Sequence, residues 1–155
     1  MLKFYVALAG VVLVSACAPL NAVNGPIENM TPSVIVDQLT SCAAHNMIMG
    51  AIIRDIPTDI VIEQNLSKSS DTIIAAATVD HAQNPQADIY SYVNQSRNAV
   101  YAKYDEYAIA LKALIGTSAY DESFQKHAQS AQLCHEKWGA LIIEKRKAAK
   151  TNFGI

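Results

Sequence analysis

The chain has 155 residues, of which 51% are apolar and 17% charged. It is long enough for one domain with its own core and too apolar for intrinsic disorder. Twelve basic residues face fourteen acidic ones, a formal charge of −2, which excludes the basic footprint of a nucleic-acid-binding domain.

The N-terminus opens with Lys3, continues through an apolar run over residues 4–14 and ends in Val14-Ser15-Ala16-Cys17. Extended to Ala18, the apolar run is shorter than the roughly 20 residues a membrane-spanning helix needs. A charged start, an apolar segment and small residues before the break have the order of a secretory signal. Val14-Ser15-Ala16-Cys17 resembles the lipobox of bacterial lipoproteins. That resemblance implies removal of residues 1–16 as a signal peptide and acylation of Cys17, whose two or three acyl chains would anchor the chain stably. Ala18 stands where an aspartate would resemble inner-membrane retention, so the expected address is the outer membrane, facing the periplasm. General secretion with an unmodified Cys17 is the competing reading, because Val14 and Ala16 also suit the general signal peptidase.

Removal of residues 1–16 leaves 139 residues with eleven basic and fourteen acidic side chains. With Cys17 lipidated, Cys42 and Cys134 remain, an even number in an oxidising compartment, which reads as a disulfide. Two unpaired buried thiols are the alternative.

Residues 17–30 hold the lipidated cysteine and, from Ala18, two prolines, a glycine and three asparagines without periodicity. They read as a tether. Thr31-Pro32 then has the form of a helix start, a capping hydroxyl before a proline at the first helical position. Ile35, Leu39, Cys42, Asn46, Met49 and Ile53 recur at spacings of four and three, so a first helix is expected to about Arg54, with Pro57 ending it. Over residues 58–83 the expectation is a helix broken at the serine-rich stretch 66–71. A hairpin, with strands at residues 60–62 and 73–74, competes because β-branched residues cluster on both sides, although Ala75, Ala76 and Ala77 favour helix. Pro85 suits the first turn of a third helix, with Asp88 near its positive end and Ile89, Val93, Val100, Tyr104, Leu111 and Leu114 on one side. Gly116-Thr117-Ser118 breaks that pattern near Ile115. Tyr120, Phe124, His127, Ala131, Cys134, Trp138 and Leu141 then define a fourth helix to about Lys147. The fold expected is all-α: a four-helix bundle over residues 31–150 with a tail at 151–155, Cys42 and Cys134 lying on the inward seams of its first and last helices.

No residue pattern carries catalysis. His45, His81, His127 and His135 are spread over three segments, without a His-Glu-x-x-His or paired-cysteine spacing, so neither metal nor cofactor is expected. Cys134 and His135 are adjacent, which turns them about 100° apart on a helix, so a thiol–imidazole nucleophile is the weaker reading beside the disulfide. Asp105-Glu106 and Asp121-Glu122 read as solvated helix faces. Four basic residues, Lys145, Arg146, Lys147 and Lys150, complement the C-terminal dipole of the last helix, contact with anionic headgroups or an acidic partner being the alternative.

The tyrosines are more suggestive. Tyr90, Tyr101, Tyr104 and Tyr107 fall within a sector of about 120° beside the aliphatic stripe. Such a row suits a groove for a partner helix or peptide, large contact area with a polar tip; a core-to-solvent boundary is the competing reading. Together these features describe a lipid-anchored envelope protein, without enzymatic activity, that binds another envelope protein. In outline it resembles secretin pilotins, an architectural likeness without matched motif residues. An immunity or exclusion lipoprotein, or a structural one, has the same outline, and a secreted helical enzyme is the more distant alternative.

Overall fold

A computed structural model describes residues 25–52 and 59–155. The expected signal peptide, Cys17, the expected tether up to residue 24, Pro57 and the expected end of the first helix at Arg54 lie outside these residues. A short 3-10 turn, Ile27–Asn29, precedes four helices: α1 Pro32–Ile52, α2 Asp59–His81, α3 Ile89–Ala113 and α4 Ala119–Phe153. The protein is therefore an all-α four-helix bundle.

Its starts follow local chemistry. Pro32 is the first residue of α1, and the Val34 amide donates to Thr31 Oγ1 at 3.4 Å. Asp88, not Pro85, opens α3: its carboxylate accepts from the Tyr90 amide at 3.2 Å. Pro85 sits instead in the connecting turn, closed by the Ala87 amide on Asn84 O and by His81 Nε2–H donating to Ala87 O at 2.9 Å. Gly116, with φ +83°, follows the end of α3 in the left-handed conformation glycine adopts without strain.

Three further expectations are corrected. The expected tether does not extend to residue 30, since Ile27 and Met30 already pack against the core around the 3-10 turn. α2 is one continuous helix through residues 66–71, with neither break nor hairpin. Two hydroxyls of α2 bond one turn back, Thr72 Oγ1 donating to Lys68 O at 2.7 Å and Thr78 Oγ1 to Ile74 O at 2.8 Å, an arrangement compatible with helix; within the serine-rich stretch Ser69 is buried without a hydrogen-bond partner for its hydroxyl among the described residues. α4 runs to Phe153, past the expected end near Lys147, so residues 151–153 belong to the helix and not to a tail. It stops where Gly154 takes φ +74° and its amide donates to Lys150 O, a glycine cap.

Side-chain pairs set the helix directions. Asp37 and His45 of α1 meet Lys103 and Tyr107 of α3 in rising order, so these helices run parallel. Cys42 and His45 meet Cys134 and His127 of α4 in falling order, so α1 and α4 are antiparallel. α1 and α2 form the inner pair, flanked by α3 and α4, which touch each other little. Small residues allow this close approach: Ala43 and Ala44 on α1 and Ala75, Ala76 and Ala77 on α2 are all fully buried, and a Cβ on Gly50 would lie 3.1 Å from Leu66 Cδ2.

The core has two parts. One gathers Leu39, Ala75, Ala76, Val79, Trp138 and Ile142 around the Cys42–Cys134 disulfide. The other gathers Ala43, Ile48, Val100, Tyr107 and Leu111, with Tyr120 and Phe124 packed against it.

Few ion pairs join helices. Arg146 Nε bonds Asp71 Oδ1 at 3.0 Å, holding α4 to α2. Lys103 Nζ reaches Asp37 Oδ1 and Ser41 Oγ, each at 2.8 Å, holding α3 to α1. Both pairs are partly solvated. We expect Lys103→Met to cost about 1 kcal/mol or less in urea denaturation and to lose its effect at high salt, as exposed pairs do.

Candidate functional site

Two places gather the side chains singled out in the sequence, one closed and one open. In the closed one, His45 of α1 and His127 of α4 meet with Nδ1 atoms 2.9 Å apart, although 82 positions separate them. Tyr107 of α3 stacks on His45 with ring centroids 4.7 Å apart and an interplanar angle of 14°, and lies 5.1 Å from His127. The disulfide holds α1 and α4 together one turn along α1 from His45 and two turns along α4 from His127. Both imidazoles are almost wholly buried, 3% and 2% exposed. Burial first, then the positive neighbours His127 and Lys103, push the pKa of His45 down to about 3; burial lowers that of His127 as well. One nitrogen of the pair must donate and the other accept, so the contact tolerates at most one positive charge.

The four histidines are thus not scattered over the surface. His81 is also buried, between the rings of Tyr92 and Phe153 at the α2–α3 turn, while His135 is exposed. Among the described residues no group of three or more His, Cys, Asp and Glu side chains is placed to hold a metal ion. Cys134 is tied to Cys42, which leaves no thiol for a pairing with His135. Asp105, Glu106, Asp121 and Glu122 are exposed, Glu122 paired with Lys126 at 2.7 Å.

The open place is a groove of about 360 Å³ between α2 and α3. Leu66, Ser69, Ser70, Ile73 and Ile74 form one wall, at the i, i+3, i+4, i+7, i+8 spacing of a single helix face. Tyr90, Val93, Arg97 and Tyr101 form the other, again one face of a helix, and Met47 of α1 contributes from beneath. α3 returns antiparallel to α2, so Tyr90 stands at the end near the connecting turn and Tyr101 at the far end. Ile155 also lines the groove, its main-chain oxygen accepting from Arg146. Leu66, Tyr90 and Tyr101 are 46%, 54% and 47% exposed, large apolar surfaces presented to solvent.

The four-tyrosine row is therefore split. Tyr90 and Tyr101 are about 20° apart around α3 and share the groove. Tyr104 and Tyr107 turn by about 60° and 120° from Tyr101 toward α1. Tyr104 packs half-buried against the second core, and Tyr107 is buried on His45. A surface role for Tyr107 is corrected by that burial: the core boundary passes between Tyr101 and Tyr107. The α2 wall was not singled out in the sequence, although the 66, 69, 73 spacing was visible there; the assumed break at 66–71 hid it. The basic C-terminal cluster is also divided, since Arg146 pairs with Asp71 and Lys145 with Glu144, while Lys147 and Lys150 are exposed.

Among the described residues no helix is long and apolar enough to cross a membrane. Comparison with protein-family profiles, curated proteins and solved structures finds no match.

Proposed function

We propose that this chain is a lipid-anchored protein of the bacterial envelope, held by Cys17 at the periplasmic face of the outer membrane, and that it works as a non-enzymatic adaptor. Its α2–α3 groove binds a peptide segment of another envelope protein, in the manner of a pilotin or a structural adaptor. The observation that carries this reading is the groove itself, two helix faces with Leu66, Tyr90 and Tyr101 exposed along a trough whose lining is more apolar than polar and also takes in Ser69, Ser70 and Arg97. Tyrosine and leucine surfaces in a concave setting have the composition of a partner site. The Cys42–Cys134 disulfide agrees with an oxidising compartment.

Mass spectrometry of the mature N-terminus tests the anchor: a diacylglyceryl-modified Cys17 is expected, and an unmodified Cys17 overturns it. A photo-crosslinking amino acid placed at Tyr90 or Tyr101 in living cells tests the groove. A discrete crosslinked species is expected, lost when Leu66→Asp and Tyr101→Asp are combined with the probe at Tyr90. Both side chains are about half exposed, so circular dichroism of that variant should match the parent. A crosslink that persists in it removes the groove as the partner site.

A further inference from the structure

We infer that the groove takes an amphipathic peptide segment carrying an internal aspartate or glutamate, whose carboxylate is held by Arg97; this rests on the adaptor reading above. Among the residues lining the groove Arg97 is the one charged side chain. Its guanidinium makes a long contact of 3.4 Å with Asn94 Oδ1, and among the described residues no carboxylate pairs with it. Lys103, Lys126, Lys145 and Arg146 each have an acidic partner within 3.0 Å. Arg97 is itself exposed and thus offers a planar fork, without a carboxylate partner among the described residues, beside apolar surface, a shape suited to bidentate pairing with a carboxylate.

Its position selects the kind of carboxylate. Arg97 lies seven residues beyond Tyr90 and four before Tyr101, about 10 Å and about 6 Å along the helix. Apolar wall therefore continues on both sides, with Val93 and Ile74 toward one end and Leu66 toward the other. A ligand filling the trough meets Arg97 in its middle. A chain terminus or a fatty acid carries its charge at one end and would leave half the apolar wall uncovered. An internal acidic side chain between two apolar anchors covers both halves. The wall from Tyr90 to Tyr101 is about 16 Å long, three turns of helix, which suits a helical segment presenting apolar residues three and four apart with the acid among them.

The test selects random twelve-residue peptides, displayed on phage, against the full chain in detergent, and then measures synthetic copies of the enriched sequences. Enriched peptides should carry Asp or Glu between two apolar residues. Exchange of that acid for its amide, or Arg97→Gln in the protein, should each weaken binding about tenfold or more. The two changes together should cost little beyond either alone, and Arg97→Glu should recover binding to a peptide whose acid is changed to arginine. Peptides that lose binding with Leu66→Asp/Tyr101→Asp yet ignore Arg97→Gln overturn the carboxylate inference and leave the adaptor reading standing. Dependence on a free C-terminal carboxylate, or displacement by oleate that requires Arg97, overturns the internal-acid assignment. No enrichment, or enrichment insensitive to the groove substitutions, overturns the adaptor reading and this inference with it.

Discussion

Replacing Cys42 and Cys134 together with alanine should lower the thermal unfolding midpoint by roughly 10–20 °C. The two residues are 92 positions apart, and closing a loop of that length restricts the unfolded chain by about 4–5 kcal/mol on the chain-entropy account. That is a large share of the roughly 5–15 kcal/mol that holds a domain folded. Packing adds to the effect, because the bridge is surrounded by Leu39, Val79, Trp138 and Ile142. Cys42 and Cys134 are 0% and 2% exposed, so reductant should act slowly on the folded protein and quickly once it is unfolded. Calorimetry of parent and variant decides the matter: a shift smaller than about 3 °C would show that the bundle does not depend on the bridge.

Acid should destabilise the protein through the His45–His127 pair. An unfolded histidine takes up a proton below about pH 6.5, whereas buried His45 resists it until about pH 3. Stability is therefore complete above pH 6.5 and falls as pH drops toward 3, because the unfolded state binds the extra proton first. One such group costs about 1.4 kcal/mol per pH unit, so roughly 3 kcal/mol should be lost from pH 6.5 to pH 4.5. His127 acts in the same direction, its pKa being lowered by burial. The charged and titratable neighbours that bear on the pair are Lys103 and Tyr107 from α3. Urea midpoints between pH 4 and pH 7.5 should show the slope in the parent, and the double variant His45→Phe/His127→Leu should flatten it. A parent protein equally stable at pH 7 and pH 4.5 would refute this account.

The groove and the histidine pair differ in how far they could be read ahead. Tyr90 and Tyr101 are nearly in line on a helix wheel, so half of the groove was legible from spacing alone. The other half required α2 to be continuous, and a run such as Ser67-Lys68-Ser69-Ser70-Asp71 has the composition of a loop. What makes it helical is the burial of Ser69, Thr72, Ala75, Ala76 and Ala77 against neighbours, and tertiary burial outweighs local propensity there. The end of α4 was misplaced for a simpler reason. The amphipathic seam fades after Leu141, whereas the physical stop is Gly154, whose left-handed backbone ends the helix.

Local pattern by itself determined the number of helices, most of their starting residues and the seams that bring Cys42 and Cys134 together, because amphipathic period, caps and glycine stops act over one or two turns. Only the tertiary structure decided that His45 and His127 share a hydrogen bond, that Tyr107 is core while Tyr101 is surface, and that Arg97 stands without an acid among neutral walls. Those properties depend on how far each helix is rotated about its axis and how closely α1 and α2 approach. Both are set by side-chain volumes meeting across the bundle, which the spacing along one helix does not contain.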